Sequence, residues 1–291
     1  MGAMMSTRKV LEGKAALVTG SSHGMGKASA RMLAEDGAAV MIMGRRENLL
    51  MAARDELRAQ VAGAQIEAFL GDAGDGTSAR LAIDRAHAMR GRLDIIVSAV
   101  GKGVYKPVLL LEETDMLDEY RADVLTAFFM IRYGVPRMEP GGSIVCVSST
   151  AGTLPCAGLA PYAAAKAALE MFVKVAALEV AKAKIRINAV RPGFTRGEGT
   201  QFMFSDAALL KTFTDFIPLG RAGESDDLAR AIRFLAGPES GWVTGQVFAA
   251  DGGQELLGFP DPNYSLDQIY GKDVMDKVRA GKPPETRSAK G

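Results

Sequence analysis

Tyr162 and Lys166 stand four residues apart in the run Tyr-Ala-Ala-Ala-Lys, directly after a proline-containing loop. On a helix that spacing puts phenol and ammonium on one face, about one turn apart. A free phenol titrates near ~10, so its anion is scarce at neutral pH, and a lowering of about three units takes roughly 4 kcal/mol of preferential stabilisation. Neighbouring positive charges supply stabilisation of that kind. A phenol so tuned donates a proton to a forming alkoxide, or takes one from an alcohol. A Tyr–Lys pair at this spacing also occurs as plain surface decoration, so the surrounding elements must decide.

Those elements are short apolar runs alternating with longer helix-like stretches, the pattern of βα units and a parallel sheet. The strands are expected at 15–19, 39–43, 66–70, 93–98, 143–148, 185–190 and 246–250. Several are nearly continuous in hydrophobicity, as strands covered on both faces should be. Helices are expected over Met25–Glu35, Asp115–Met138, Tyr162–Ala183 and Asp226–Leu235. The fold class is therefore α/β, a doubly wound Rossmann-type domain with a seven-stranded parallel sheet. Residues 10–256 form that single domain, after a flexible end at 1–9 and before an extension at 257–291.

The first strand runs into Gly20-Ser21-Ser22-His23-Gly24-Met25-Gly26 and then a helix. Glycines there permit positive φ and close backbone approach, so amides and a helix N-terminus can face a pyrophosphate. The backbone of Gly20, Ser22, His23, Gly24, Met25 and Gly26 is the expected cradle, although His23 reads equally as a turn residue in solvent. Where a free ribose 2′-hydroxyl would call for Asp or Glu, the second strand ends in Gly44-Arg45-Arg46. A guanidinium forks onto a 2′-phosphate that a carboxylate would repel. Arg45 and Arg46 thus favour NADP(H) over NAD(H), unless both are merely a solvated helix start.

The spacing TGxxxGxG led by Thr19, followed by YxxxK at Tyr162 and Lys166, resembles the short-chain dehydrogenase/reductase family. Ser149, thirteen positions before Tyr162, has the family's separation, and the last strand in WVTGQVFAADGG (242–253) resembles the family's Asp-Gly-Gly ending. The resemblance covers roughly residues 10–256. It implies that Tyr162 is the general acid/base, that Lys166 binds the nicotinamide ribose and that Ser149 steadies the carbonyl. It further implies cofactor contacts at Asp72 and Ala73, at Ala99 and Gly101, and at Pro192 and Gly193 beside the carboxamide. Three departures stand out. Ser98-Ala99-Val100-Gly101 replaces an Asn-Asn-Ala-Gly turn, and Thr195 lies at a shifted place after Pro-Gly. Asp123 falls where the family carries an Asn that holds a water of the proton relay. Aspartate accepts hydrogen bonds but lacks the amide donor; with the register slipped, Asp123 would instead be a helix-surface charge.

The reaction implied is hydride transfer between a nicotinamide and a carbonyl or secondary alcohol. Residues 196–217, with Phe202, Met203, Phe204, Phe213 and Phe216, match the family's substrate lid. Together with Val104 and Tyr105 they suggest a hydrophobic ketone, or else they anchor the lid to the core. The rival readings are a non-catalytic NADP(H)-binding regulator of the same fold and a sugar-nucleotide epimerase or dehydratase. The last would need more chain after Gly253.

The composition excludes other classes. A formal net charge of +1 shows no basic footprint for nucleic acid or an anionic membrane surface. Cys146 and Cys156 make no disulfide framework, and His23 and His87 have no Cys partners, so no metal is expected. Lone thiols and the lack of a secretory signal point to the cytoplasm. The uncharged stretch Pro140 to Ala165 contains two further prolines and several glycines, which spoils a membrane-spanning helix. A homotetramer or dimer built by helix pairing and the last strand is implied by the resemblance. In the extension, Ser265 could cap a helix with Leu266, Ile269, Tyr270, Val274 and Val278 on one face, either packed or solvated. The polar, Pro-rich end after it is expected to be disordered.

Overall fold

In a computed structural model the described residues are 9–101, 103–260 and 263–282. Residues 1–8 of the expected flexible start and 283–291 of the expected disordered end lie outside them. Seven strands form one parallel sheet: β1 (Ala15–Thr19), β2 (Ala39–Gly44), β3 (Ile66–Leu70), β4 (Leu93–Ser98), β5 (Met138–Val147), β6 (Arg186–Pro192) and β7 (Val247–Ala250). Their order across the sheet is β3-β2-β1-β4-β5-β6-β7. The chain reverses its direction of winding between β1 and β4, which opens a crevice beyond the carboxyl ends of those two strands.

Helices cover both faces: α1 (Gly24–Glu35), α2 (Glu47–Gln60), α3 (Gly76–Ala88), α4 (Glu113–Tyr120), α5 (Thr126–Gly134), α6 (Ala160–Val180), α7 (Gln201–Phe204), α8 (Ala207–Thr214), α9 (Ser225–Ala236), α10 (Gln254–Leu257), α11 (Asn263–Tyr270) and α12 (Lys272–Arg279). The two-residue period of a strand sorts its side chains between the layers. Leu17, Ile96, Ile144 and Ile187 point into the layer of α3, α5 and α6. Ala16, Val18, Val97, Val145 and Val190 point into the layer of α1, α2 and α9. Each such buried aliphatic side chain contributes about 1.5–3 kcal/mol, which is why the strands read as unbroken apolar runs.

Two expectations need correction. The stretch 115–138 is not one helix: α4 gives way to a π-turn over Arg121–Leu125, and α5 ends at Gly134. Pro136 lacks an amide to continue the ladder, and Met138 already belongs to β5. The extension likewise folds as two short helices, broken at Gly271 with φ +87°. Ser265 lies buried inside α11 rather than capping it, and Met275 is buried while Ile269 faces solvent. Among the described residues no helix is long and apolar enough to cross a membrane.

Candidate active site

The Gly-rich turn closes the end of β1 against β4. Thr19 Oγ1 accepts from the Ala99 amide at 3.2 Å, and Ser21 Oγ donates to the Val18 carbonyl at 2.8 Å while accepting from the Met43 amide at 3.0 Å. The packing leaves no room for side chains: a Cβ on Gly26 would lie 2.4 Å from the Gly20 carbonyl oxygen, and one on Gly20 would lie 2.5 Å from that of Ala99. Gly24 has φ +57°, a Cβ there would meet only Ser225 Oγ at 3.9 Å, and the first turn of α1 holds no acidic residue. A dinucleotide's pyrophosphate fits such a shelf of backbone at a positive helix end. Met25 packs against the α1 layer and Ser22 Oγ sits against Gly44, so their side chains brace the turn.

Both arginines after β2 have acidic partners. Arg45 lies 3.5 Å from Asp72, which also accepts from the Gly74 amide at 2.8 Å. Arg46 holds Glu198 through two hydrogen bonds of 2.7 and 2.8 Å. His23 is not a free turn residue either: its Nε2 lies 2.8 Å from the same carboxylate. Ala73 is buried against the core, so at that position only backbone faces the cleft.

Across the crevice, α6 carries Pro161 in its first turn and presents Tyr162 half-buried and Lys166 at 2% exposure. Lys166 Nζ donates to the Val147 carbonyl at 2.9 Å, pairs with Asp123 Oδ1 at 3.0 Å and lies 5.5 Å from the centre of the Tyr162 ring. Burial would lower this ammonium, but the Asp123 carboxylate, with lesser help from Tyr162 and Cys146, holds it above the usual lysine value. Asp123 is therefore no surface charge; the π-turn aims it inward, as such turns often do at working sites. Gly101 completes the group, since a Cβ there would lie 3.0 Å from Asp123 Oδ1 and 3.1 Å from Lys166 Nζ. Ser149 follows β5 and accepts from the Ala151 amide at 3.2 Å. Burial pushes the thiol of Cys146, close behind the lysine, up to about 12.

Pro192 ends β6, and a Cβ on Gly193 would lie 2.8 Å from Asp251. The Pro-Gly turn thus seats directly on the Asp-Gly-Gly ending. Thr195 is buried at 8%, with its hydroxyl donating to the Gly193 carbonyl at 2.9 Å. Behind it lies a network that sequence reasoning missed. Glu170 accepts from Ser148 at 2.6 Å and from Arg191 at 2.6 and 2.9 Å, and Arg191 also pairs with Glu255 at 2.9 Å. Its signal was Glu170, an acid set between Leu169 and Met171 with further apolar residues on either side. Glu119 was missed too; it is buried in α4 and accepts from the Val104 amide at 2.6 Å.

On the substrate side, Phe204 and Phe213 stack on Phe194 with ring centres 5.2 and 4.8 Å apart. These aromatics and Met203 anchor the segment after β6, while Phe202 stands about half exposed. The 103–106 loop brings Gly103 beside the Tyr162 ring. The extension returns to the same loop, where Tyr270 donates to the Tyr105 carbonyl at 2.7 Å and Leu266 and Tyr105 close over Gly158.

A family model described as enoyl-(acyl carrier protein) reductase matches residues 20–255. Glucose 1-dehydrogenase of Gluconobacter oxydans is 34% identical over 259 residues, 87% of this chain and 96% of its own length. A short-chain type dehydrogenase/reductase from Mycobacterium ulcerans superposes with TM-score 0.87 at 30% identity, covering 91% of this chain and 98% of that one. A gluconate 5-dehydrogenase from Burkholderia cenocepacia, solved in complex with NADP and tartrate, superposes with TM-score 0.78 at 31% identity over 85% of this chain and 97% of its own.

Proposed function

The chain belongs to the short-chain dehydrogenase/reductase family, and from that premise we propose an NADP(H)-dependent oxidoreductase that interconverts an apolar ketone and its secondary alcohol. Enzymes of this family act on CH–OH and C=O groups. The observation that carries the reading is Lys166, buried between the Val147 carbonyl and Asp123 with the half-open Tyr162 ring above it, across the crevice from the Gly-rich turn.

When bound, the nicotinamide supplies or accepts the hydride. Tyr162 Oη gives its proton to the substrate oxygen during reduction, or takes one during oxidation. Ser149 Oγ accepts from a backbone amide, which leaves its own proton to orient that oxygen. Lys166 donates one ammonium proton to Val147 and is ion-paired with Asp123, and a remaining N–H would serve a bound nicotinamide ribose. With the cofactor bound, Gly20 to Gly26 would hold the pyrophosphate, Arg45 and Arg46 the 2′-phosphate, Asp72 and Ala73 the adenine side, and Ala99, Gly101, Pro192, Gly193 and Thr195 the nicotinamide side. The relative solved with NADP supports this cofactor by analogy.

In this reading the described part of the extension that carries α11 and α12 is a wall of the substrate entrance, because Leu266 and Tyr270 close on the loops that flank Tyr162. The assembly is a homo-oligomer. Met171, Val175 and Leu178 on α6, and Trp242 with the Phe234–Phe248 pair beside β7, leave apolar area uncovered; light scattering at the monomer mass would contradict it. The function itself is tested by a panel of ketones and sugars followed through NADPH absorbance. Turnover of apolar ketones is expected, and a preference for polyols or for NADH would overturn the corresponding half of the assignment.

A further inference from the structure

Glu198 follows β6 in the run Arg196-Gly197-Glu198-Gly199 and reaches back across the mouth of the cofactor crevice. Its two oxygens accept from the two terminal nitrogens of Arg46 at 2.7 and 2.8 Å, and Oε2 also lies 2.8 Å from His23 Nε2. One carboxylate therefore ties together three separate stretches of chain: the Gly-rich turn, the turn after β2 and the segment after β6. Gly24, Leu49 and Ser225 line the same mouth. Arg46, with His23 adding its charge, holds the Glu198 carboxyl below the usual range.

We infer that Glu198 is an internal stand-in for the cofactor's 2′-phosphate: it occupies the guanidinium fork of Arg46 and must be displaced when NADP(H) binds. This rests on the proposed NADP(H) preference and adds to it a residue that sets how strong that preference is. A carboxylate and a phosphate offer the fork the same pair of acceptor oxygens. The phosphate carries roughly twice the charge, so it takes the site. The Arg46–Glu198 pair is open to solvent, at 49% and 60% exposure, and such pairs hold weakly enough to exchange. Gly197 and Gly199 flank the acid, and a Cβ at Gly199 would meet nothing within 4 Å, so the backbone has space to carry Glu198 away. NAD(H) brings no group that competes for Arg46 and leaves the tie closed.

The test is titration of wild type, E198Q and R46Q with NADPH and with NADH at low ionic strength, following nicotinamide fluorescence. E198Q is expected to bind NADPH about two- to five-fold tighter, with NADH unchanged and the gain fading at high salt. R46Q is expected to lose the difference between the two cofactors. If R46Q loses it but E198Q binds NADPH no better than wild type, the stand-in is overturned and the NADP(H) reading survives. Equal tightening for both cofactors also overturns the stand-in, because the effect would then come from the pyrophosphate side near His23. If wild type binds NADH as tightly as NADPH and R46Q changes neither, the NADP(H) reading falls and the stand-in falls with it.

Discussion

Replacing Asp123 by Asn removes one negative charge that lies 3.0 Å from Lys166 Nζ while keeping an oxygen to accept its hydrogen bond. Lys166 Nζ is itself 5.5 Å from the centre of the Tyr162 ring, and a unit charge on the order of 7 Å from a phenol, at an effective dielectric of ~20, is worth about 2.4 kcal/mol. That corresponds to roughly 1.7 pH units, and relaxation of the surroundings trims it to about one to two. The sign follows from the charge. With the carboxylate gone, the ammonium acts on the phenol uncompensated and favours its anion. The acid limb of kcat/KM for alcohol oxidation should therefore move to lower pH in D123N, measured with NADP and a secondary alcohol between pH 5 and 10. The Val147 carbonyl and the new amide oxygen keep Lys166 charged. A limb that stays put, or moves to higher pH, would refute the reasoning: the first would mean Asp123 is not sensed at the phenol, the second that Lys166 loses its proton.

Two further outcomes follow from the same geometry. Asp94, 3% exposed, joins the starts of β1 and β4 through Lys14, Arg92 and the Ala15 amide. Burial opposes its charge, but Arg92, the Ala15 amide and Lys14 together hold the carboxyl below the usual aspartate value. Its contribution is thus present above the unfolded-state value of about 3.9 and lost as pH falls through the folded one. D94N should cost about 3 kcal/mol in urea unfolding at pH 7 and much less near pH 3; a pH-independent cost would contradict this. Deleting residues 258–291 should change the kcat/KM ratio between short and long 2-alkanones with little effect on NADPH affinity, and Tyr270→Phe should shift it the same way to a smaller extent. An unaltered ratio in the deletion would show that the extension does not wall the entrance.

Much of this was legible in the sequence because strand and helix periods are local properties. β1, β3 and β4 fall where the apolar runs end, and the doubly covered sheet follows from strands that are apolar on both faces. Tyr162 and Lys166 were readable because one helix carries both. The parts that escaped depend on where the chain returns from far away. Asp123 was a candidate from its place in the resemblance, but its pairing with Lys166 was not foreseen, because a π-turn re-aims it in a way no spacing rule foretells. Glu198 meets Arg46 across 152 positions, and Tyr270 meets Tyr105 across 165. The single helix expected after residue 257 failed at Gly271, whose positive φ splits a pattern that looked continuous.

The central claim is that one phenol moves the proton while other groups only hold the reactants. Tyr162→Phe keeps the ring beside Gly103 and removes the hydroxyl alone, so NADPH affinity and carbonyl reduction should be measured on the same preparation. NADPH binding should stay close to wild type, with kcat lowered at least about a hundredfold. A variant that binds NADPH normally and still reduces a ketone within about tenfold of the wild-type rate would contradict it.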